Sequence, residues 1–297
     1  MDRSTTPLLI RDPREWQRRC REARERGAAV TLVPTMGYLH AGHVSLMEAA
    51  RARADALAAA KAGAGEALAL ASIFVNPAQF GPNEDLARYP RDLDGDLAKC
   101  AAAGIDAVLA PEPAAVYRPM HQTWIDVGSV SQGLCGASRP GHFRGVATVV
   151  AKLFNLTLPD AAFFGEKDFQ QLAVVRAMAR DLDMAVDVVG MPIVREPDGL
   201  AMSSRNAYLS PDGRARARAL SQSLFDARDR AAAGERDAAA LVARAKDRLV
   251  AAGARVDYVE IVHPETLERV ERAVTGSRML VAAHVGATRL IDNLALP

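Results

Sequence analysis

Two histidines separated by a small residue and a glycine are the first sign of chemistry in this chain. His40 and His43 follow an apolar run at residues 28–33 and a turn at residues 34–37, and they open an amphipathic segment. A strand, a glycine-containing turn and a helix N-terminus together present backbone N–H groups and a positive dipole end to an anion. The spacing predicts phosphate binding, although two solvated surface histidines fit the tetrad equally well.

Two later segments carry polar groups suited to the same ligand. A Ser-Ser-Arg run at residues 203–205 follows a turn at residues 196–199, and hydroxyls beside a guanidinium can hydrogen-bond phosphate oxygens. Between the tetrad and this run, an apolar strand at residues 163–164 ends at Gly165 and is followed by two carboxylates and a lysine. Open α/β sheets bind ligands where their strands end. The three segments together favour phosphate chemistry.

Alternating apolar and amphipathic stretches predict the elements that position these groups. The apolar runs are residues 28–33, 68–75, 107–109, 160–164 and 186–189, and the helical stretches are residues 13–25, 44–57, 94–103 and 169–182. Strands that alternate with helices indicate an α/β fold with a doubly wound parallel sheet.

The chain changes character near residue 194. A long helical segment at residues 211–251 precedes short strand candidates at residues 258–262, 278–283 and 289–293. This pattern predicts a smaller α+β C-terminal domain. We therefore expect two domains, residues 1–193 and residues 194–297.

Composition narrows the possible partners and compartment. The chain has 297 residues, a formal net charge of +1 and only 5% aromatic residues, so no basic or stacking face for nucleic acid is indicated. The sequence lacks a signal-peptide pattern and an uncharged apolar window of membrane-spanning length, so we expect a cytoplasmic protein that binds no membrane. The three cysteines are unclustered, which favours reduced structural or surface thiols.

Seven sequence blocks resemble the pantothenate synthetases, which are ligases of the HxGH nucleotidyltransferase superfamily. The blocks are residues 33–37, 40–43, 72–80, 139–145, 163–171, 202–206 and 288–293. The resemblance implies ATP-dependent condensation of pantoate with β-alanine through a pantoyl-adenylate, with release of AMP and pyrophosphate. It further implies a Rossmann-like domain at residues 1–193 that binds nucleotide and pantoate, a C-terminal lid domain that closes over ATP, and a homodimer.

The resemblance also assigns roles to individual residues. His40, His43 and Lys167 would be catalytic, and Asn76, Gln79 and Gln171 would bind pantoate and β-alanine. Outside this family the two glutamines would be ordinary loop and helix residues. The residues implied in ATP binding are Met36, Gly37, His40, His43, Gly165, Glu166, Lys167, Asp168, Val194, Met202, Ser203, Ser204 and Arg205. His142 lies in a family-like block, but the sequence assigns it no step.

The candidate metal site departs from the family pattern at one position. ATP chemistry implies Mg²⁺, and the weak candidates for protein ligands are Asp92 and Asp96, because Gly95 stands where some relatives have an acidic residue. A solvated helix start explains both aspartates equally well.

The connection at residues 55–66 is about ten residues longer than usual in the family, and we expect a prolonged helix ended by Gly63 and Gly65, away from the ligands.

Two other functions remain open on the sequence alone. Another HxGH nucleotidyltransferase would transfer a nucleotide to a phosphorylated acceptor, but this would call for further Arg or Lys where the chain has Gln79 and Gln171. A nucleotide-binding regulatory module would tolerate the loss of His40, His43 or Lys167, and all three are present.

Overall fold

The structure, a computed structural model, describes residues 6–61, 65–82 and 84–297. Contacts divide these residues into two compact units. The first unit comprises the described residues of Met1–Val127 together with Pro140–Gly165 and Val174–Met191. The second comprises Gly128–Arg139, Glu166–Ala173 and Pro192–Pro297. The domain boundary at residues 193 and 194 stays a prediction beside this contact-based division.

Short strands and longer helices alternate through the first two-thirds of the chain. In chain order the elements are β1 (Leu8–Ile10), α1 (Pro13–Glu25), β2 (Ala29–Thr35), α2 (Ala41–Ala59), β3 (Ala67–Ile73), α3 (Leu93–Ala102), β4 (Ala107–Leu109), α4 (Pro113–Val116), α5 (Leu134–Ser138), α6 (His142–Thr157), β5 (Ala161–Gly165), α7 (Phe169–Asp181), β6 (Asp187–Met191), α8 (Pro211–Ala232), α9 (Ala238–Ala251), β7 (Arg255–Val262), β8 (Arg278–Val285) and β9 (Thr288–Ala295). Among the described helices, none is long and apolar enough to cross a membrane.

The larger sheet is parallel and has β2 near its centre. Its order among the described strands is β1-β4-β3-β2-β5-β6. β2 pairs with β3 from Ala29 opposite Ala67 to Thr35 opposite Ile73, and it pairs with β5 on its other side. Ala29, Val30, Leu32 and Val33 of β2 are fully buried, as expected for a central strand covered on both faces. The predicted α/β class is confirmed. β1 was not predicted, although Leu8–Ile10 is an apolar run of the same length as β4.

The second unit contains a small antiparallel sheet in the order β7-β8-β9. Its core consists of apolar residues from these strands and from α8 and α9, including Leu220, Leu241 and Met279. The predicted smaller α+β fold is thus present in this part of the chain. The single helix expected over residues 211–251 is wrong, because α8 ends before Gly234, which has φ of 103°, and Asp237 caps the start of α9.

The helix that enters the long connection at residues 55–66 ends earlier than predicted. α2 ends at Ala59, before either glycine, and the ammonium of Lys61 donates to the carbonyls of Gly27 and Ala28. Gly63 lies outside the described residues. The connection leads from the end of α2 to the start of β3, which is the edge of the sheet opposite the strand carboxyl ends. Its distance from the ligands stays a prediction.

A close helix-to-loop contact holds the loop that follows β3. The Asn76 amide donates to the carbonyl of Gly145 in α6 at 3.1 Å. A Cβ atom at Gly145 would lie 2.2 Å from the carbonyl oxygen of Ala78. The helix can therefore approach this loop only where it carries no side chain.

Replacing Gly145 by Ala should lower the free energy of unfolding by about 1–3 kcal/mol, the usual cost of overpacking. The cost must exceed the gain of roughly 0.5–1 kcal/mol that Ala gives inside a helix. Urea unfolding of Gly145→Ala would measure it. Gly133→Ala is the matched control, because a Cβ there meets no described atom within 4 Å. Equal stability of Gly145→Ala and the parent would contradict the clash.

Candidate active site

A tight left-handed turn joins β2 to the histidine tetrad. Gly37 and Tyr38 have φ of 83° and 51°. The Thr35 hydroxyl donates to the Ser72 carbonyl at 2.7 Å and accepts from the Gly37 N–H, which ties the turn to β3. A Cβ at Gly37 would lie 2.9 Å from both Asp96 and Ile73, so this position requires glycine for space as well as for its φ angle.

The buried carboxylate of Asp96 holds this turn. Its two oxygens accept the backbone N–H groups of Tyr38 and Leu39, both at 2.7 Å. Burial raises the pKa of this carboxyl, while the two backbone hydrogen bonds and the nearby Lys99 oppose the rise. Sequence reasoning considered Asp96 only as a weak metal candidate, because its backbone partners are more than fifty residues away.

His40 and His43 are both partly exposed and lie at the start of α2. His40 is the N-cap residue, and its Nδ1 accepts the N–H of Gly42 at 3.2 Å. Nδ1 of His43 accepts the N–H of His40 at 3.3 Å, and the two ring centroids are 4.1 Å apart. Because each Nδ1 is an acceptor, each neutral imidazole carries its proton on Nε2. The pair therefore presents two N–H donors.

The first turn of α2 adds positive potential at the same place. It contains no acidic residue that would neutralise the helix dipole. The Ser45 hydroxyl donates to the Gly42 carbonyl and so stabilises the turn. Met36 and Gly37, which the resemblance implies in ATP binding, lie in the turn that leads into this helix.

Asn76 and Gln79 lie together after β3 in a network of neutral groups. The Asn76 amide donates to Oε1 of Gln79 at 3.0 Å, and Nε2 of Gln79 donates to the sulfur of Met36 at 3.1 Å. The Tyr117 hydroxyl donates to Oδ1 of Asn76 at 2.8 Å. Nδ1 of His142 lies 2.8 Å from the Gln79 carbonyl. Sequence reasoning missed Tyr117 and gave His142 no role, and the structure places both in support of this loop.

Lys167 lies in the second unit, in a 3-10 turn that spans Glu166–Asp168. Burial lowers the pKa of its ammonium, as does the nearby Arg205, while the carboxylates of Asp168 and Asp292 oppose this effect. Gly165 precedes the turn, and a Cβ there would meet no described atom within 4 Å. Gln171 is partly exposed, whereas the neighbouring Gln170 is buried and holds the backbone around Gly133 and Cys135.

The Ser-Ser-Arg run also belongs to the second unit. Ser203 caps a 3-10 turn at Ser204–Tyr208, and its hydroxyl accepts the N–H of Arg205. The carbonyl of Val194 accepts the N–H of Met202, which joins the two sides of a tight loop. The structure thus brings Val194, Met202 and the Ser-Ser-Arg run together, in the same unit as Lys167.

The aspartates considered for metal binding have other partners. Asp92 is the N-cap of α3 and accepts the N–H of Gly95, while both oxygens of Asp96 accept backbone N–H groups. Across residues 6–61, 65–82 and 84–297, no group of three His, Cys, Asp or Glu side chains is arranged to hold a metal ion. The described residues therefore do not fit a metal site built from protein ligands.

Comparisons with known proteins give a family match over nearly the whole chain. A sequence profile described as Pantoate-beta-alanine ligase matches residues 8–295. A pantothenate synthetase from Anaeromyxobacter dehalogenans is 68% identical over 293 residues, which are 98% of this chain and 99% of that protein. One from Myxococcus xanthus is 55% identical and covers 92% of this chain and 90% of its own length.

Solved structures show the same likeness. A pantothenate synthetase from Thermus thermophilus superposes with a TM-score of 0.88 at 45% identity and covers 98% of this chain and all of its own. A pantoate-beta-alanine ligase from Francisella tularensis, complexed with beta-gamma ATP and beta-alanine, gives a TM-score of 0.78 at 28% identity and 97% coverage of both chains. This chain therefore belongs to the pantoate–β-alanine ligase family, whose members form an amide bond.

Proposed function

We propose that this protein condenses pantoate with β-alanine to form pantothenate, using ATP and a pantoyl-adenylate intermediate. A pantoate carboxylate oxygen attacks the α-phosphorus of ATP, and the bond from that phosphorus to the bridging oxygen breaks to release pyrophosphate. The β-alanine amine then attacks the acyl carbon, loses a proton as the C–N bond forms, and displaces AMP. Family membership and the ATP and beta-alanine bound to the Francisella relative support this reaction.

The hydrogen bonds that Nδ1 of His40 and Nδ1 of His43 accept are the observation that carries the proposal. Both Nδ1 atoms accept backbone N–H groups, so both Nε2–H groups are donors at a helix N-terminus. Charge accumulates on nonbridging phosphate oxygens and on pyrophosphate during adenylation, and preorganised donors stabilise such charge most. In this proposal the two imidazoles bind the triphosphate and stabilise the transition state by donating hydrogen bonds from Nε2.

The family resemblance assigns further ATP contacts to other residues. Lys167 supplies a point charge, and Ser203, Ser204 and Arg205 hold the β- and γ-phosphates. Gly165 and Asp168 would face the ribose, and the backbone near Val194 would contact the adenine edge. The carboxylates that oppose the lowering of the Lys167 pKa help it to remain charged for this role.

Neutral amides suit the acid substrate. Pantoate has two hydroxyls and one carboxylate, and Asn76, Gln79 and Gln171 can donate and accept without adding charge beside the phosphates. Gln79 donates to a thioether, which is a weak acceptor, so a substrate oxygen would be a better partner. The neutral network around Gln79 also disfavours a phosphorylated acceptor, which the other HxGH nucleotidyltransferases would require.

Three further features follow from the resemblance and stay predictions. They are Mg²⁺ accompanying ATP, a homodimer and a cytoplasmic location. Mg²⁺ would offset phosphate charge, but because the described aspartates do not fit a metal site, no step above depends on a protein-bound ion.

The adenylate predicts a specific exchange reaction. With pantoate and ATP but no amine, labelled pyrophosphate should enter ATP, because adenylation is reversible before β-alanine arrives. AMP release should become rapid only when β-alanine is added. Counting the label in isolated ATP would measure the exchange, and chromatography of the nucleotides would measure AMP release. Formation of ADP and phosphate would exclude the adenylate route.

The phosphate donors predict a loss of turnover with little loss of acid binding. His40→Ala, His43→Ala and Lys167→Ala should each lower turnover about 10²-fold or more, as removal of single transition-state donors does elsewhere. The KM for pantoate should change much less. His263→Ala is a matched control, because Nδ1 of His263 also accepts backbone N–H groups in an exposed turn. Near-normal turnover in His43→Ala would refute its role.

The Asp96 carboxylate predicts an effect on rate without an effect on metal dependence. Asp96→Asn has only one acceptor oxygen and should lower turnover by roughly tenfold, because a buried N–H left unpaired costs about 1–3 kcal/mol. The Mg²⁺ concentration for half-maximal rate should stay within about two-fold of the parent, because neither Asp96 oxygen is proposed to bind metal.

Asp94→Asn is the control for this prediction, since it removes the same charge from an exposed position in α3. A large rise in the Mg²⁺ requirement of Asp96→Asn, without one in Asp94→Asn, would show that Asp96 is a metal ligand after all.

A further inference from the structure

One buried side chain holds the turn that carries Lys167. The Asn293 amide nitrogen in β9 donates to the carbonyls of both Glu166 and Lys167, each at 2.9 Å. Asn293 is only 1% exposed. Because an amide NH₂ group has two N–H bonds, both of its donors are used on two consecutive carbonyls of this turn.

Arg278 in β8 fixes the orientation of that amide. Its Nε donates to Oδ1 of Asn293 at 2.7 Å, and its Nη2 donates to the Glu166 carboxylate at 2.7 Å. The guanidinium also lies 4.2 Å from the centroid of the Phe169 ring. Because arginine can only donate, the amide oxygen must face Arg278 and the amide nitrogen must face the two carbonyls. We name Arg278 and Asn293 the carbonyl clamp.

The residue beside the clamp contributes to the electrostatics of Lys167. Asp292 is buried and is paired with Arg195 through two hydrogen bonds of 2.6 and 2.9 Å. Its carboxylate is one of the two that oppose the lowering of the Lys167 pKa. Adjacent residues of β9 therefore act on Lys167 in two ways: Asp292 through charge, and Asn293 through the backbone.

We propose that the carbonyl clamp is a positioning device for Lys167, with Asn293 and Arg278 setting where its ammonium meets the phosphates. The inference rests on the proposed role of Lys167 in phosphate stabilisation. Neither clamp residue needs to touch a substrate. Their effect arises because a displacement of about 1 Å in a catalytic group can cost about 10²-fold in rate.

Asn293→Asp tests the clamp with a nearly unchanged shape. It keeps the oxygen that Arg278 contacts but replaces the two donors by an oxygen that faces two carbonyl oxygens. We expect pantoate-dependent ATP/pyrophosphate exchange to fall about tenfold or more, with the KM for pantoate within about two-fold, because the acid contacts are elsewhere. Arg278→Lys keeps the charge but loses the planar fork, and it should give a smaller fall of the same kind.

A double-mutant cycle separates positioning from general structural damage. If the clamp acts through Lys167, Lys167→Ala combined with Asn293→Asp should be no slower than Lys167→Ala alone, whereas independent effects would multiply. Asp257→Asn is the matched control, because it removes another charged contact of the same sheet, to Arg289. Its exchange rate should stay near that of the parent.

Each outcome decides a separate question. Normal exchange in Lys167→Ala would overturn the role of Lys167, whereas a loss there with normal exchange in Asn293→Asp would overturn the clamp alone. Multiplying effects in the cycle, or an equal loss in Asp257→Asn, would also overturn it. If Asn293→Asp does not fold, the decision passes to Arg278→Lys and its double mutant with Lys167→Ala, where full exchange or multiplying effects would again overturn the proposal.

Discussion

The turn before His40 depends on the hydrogen bonds that the buried carboxylate of Asp96 accepts. This carboxylate pairs two backbone N–H groups in a turn whose left-handed residues Gly37 and Tyr38 cannot use regular sheet hydrogen bonds. Moving a carboxylate out of water is costly, and two short hydrogen bonds and a position in the first turn of α3 offset part of that cost for Asp96, whose pKa burial still raises. The direction in which the chain enters α2, and with it the position of His40, is fixed as a result.

The same solution recurs in the second unit with a different side chain. The turn containing Lys167 follows a parallel strand, as the histidine turn does, and a buried polar group from a distant part of the chain holds its backbone. The candidate side chains on the turns, His40, His43 and Lys167, are partly exposed, while Asp96 and Asn293 are buried. Each of these turns lies outside an α-helix or strand, and it keeps a defined conformation because such a partner satisfies its backbone polar atoms.

The strands of the parallel sheet could be predicted from the sequence because burial on both faces produces continuous apolar runs. The run at residues 107–109 matches β4, and the run at residues 160–164 differs from β5 by one residue at each end. The prediction was wrong elsewhere. β1 was missed although Leu8–Ile10 is an apolar run as long as β4, and the alanine runs at residues 231–233 and 238–240 disguised the break that Gly234 and the Asp237 cap produce.

The candidate site divides in the same way between local and distant information. His40, His43 and the Ser-Ser-Arg run could be proposed as site residues because residue type, spacing and a neighbouring turn all lie within a few positions of each other. Asp96 and Asn293 carry no such signal, since an aspartate early in a helix and an asparagine late in a strand have ordinary local explanations. Their partners lie 57 and 126 residues away, at Leu39 and Lys167. Only the folded chain brings each pair together. Candidate site residues can therefore be proposed from local sequence, whereas the residues that hold their turns can be found only from the structure.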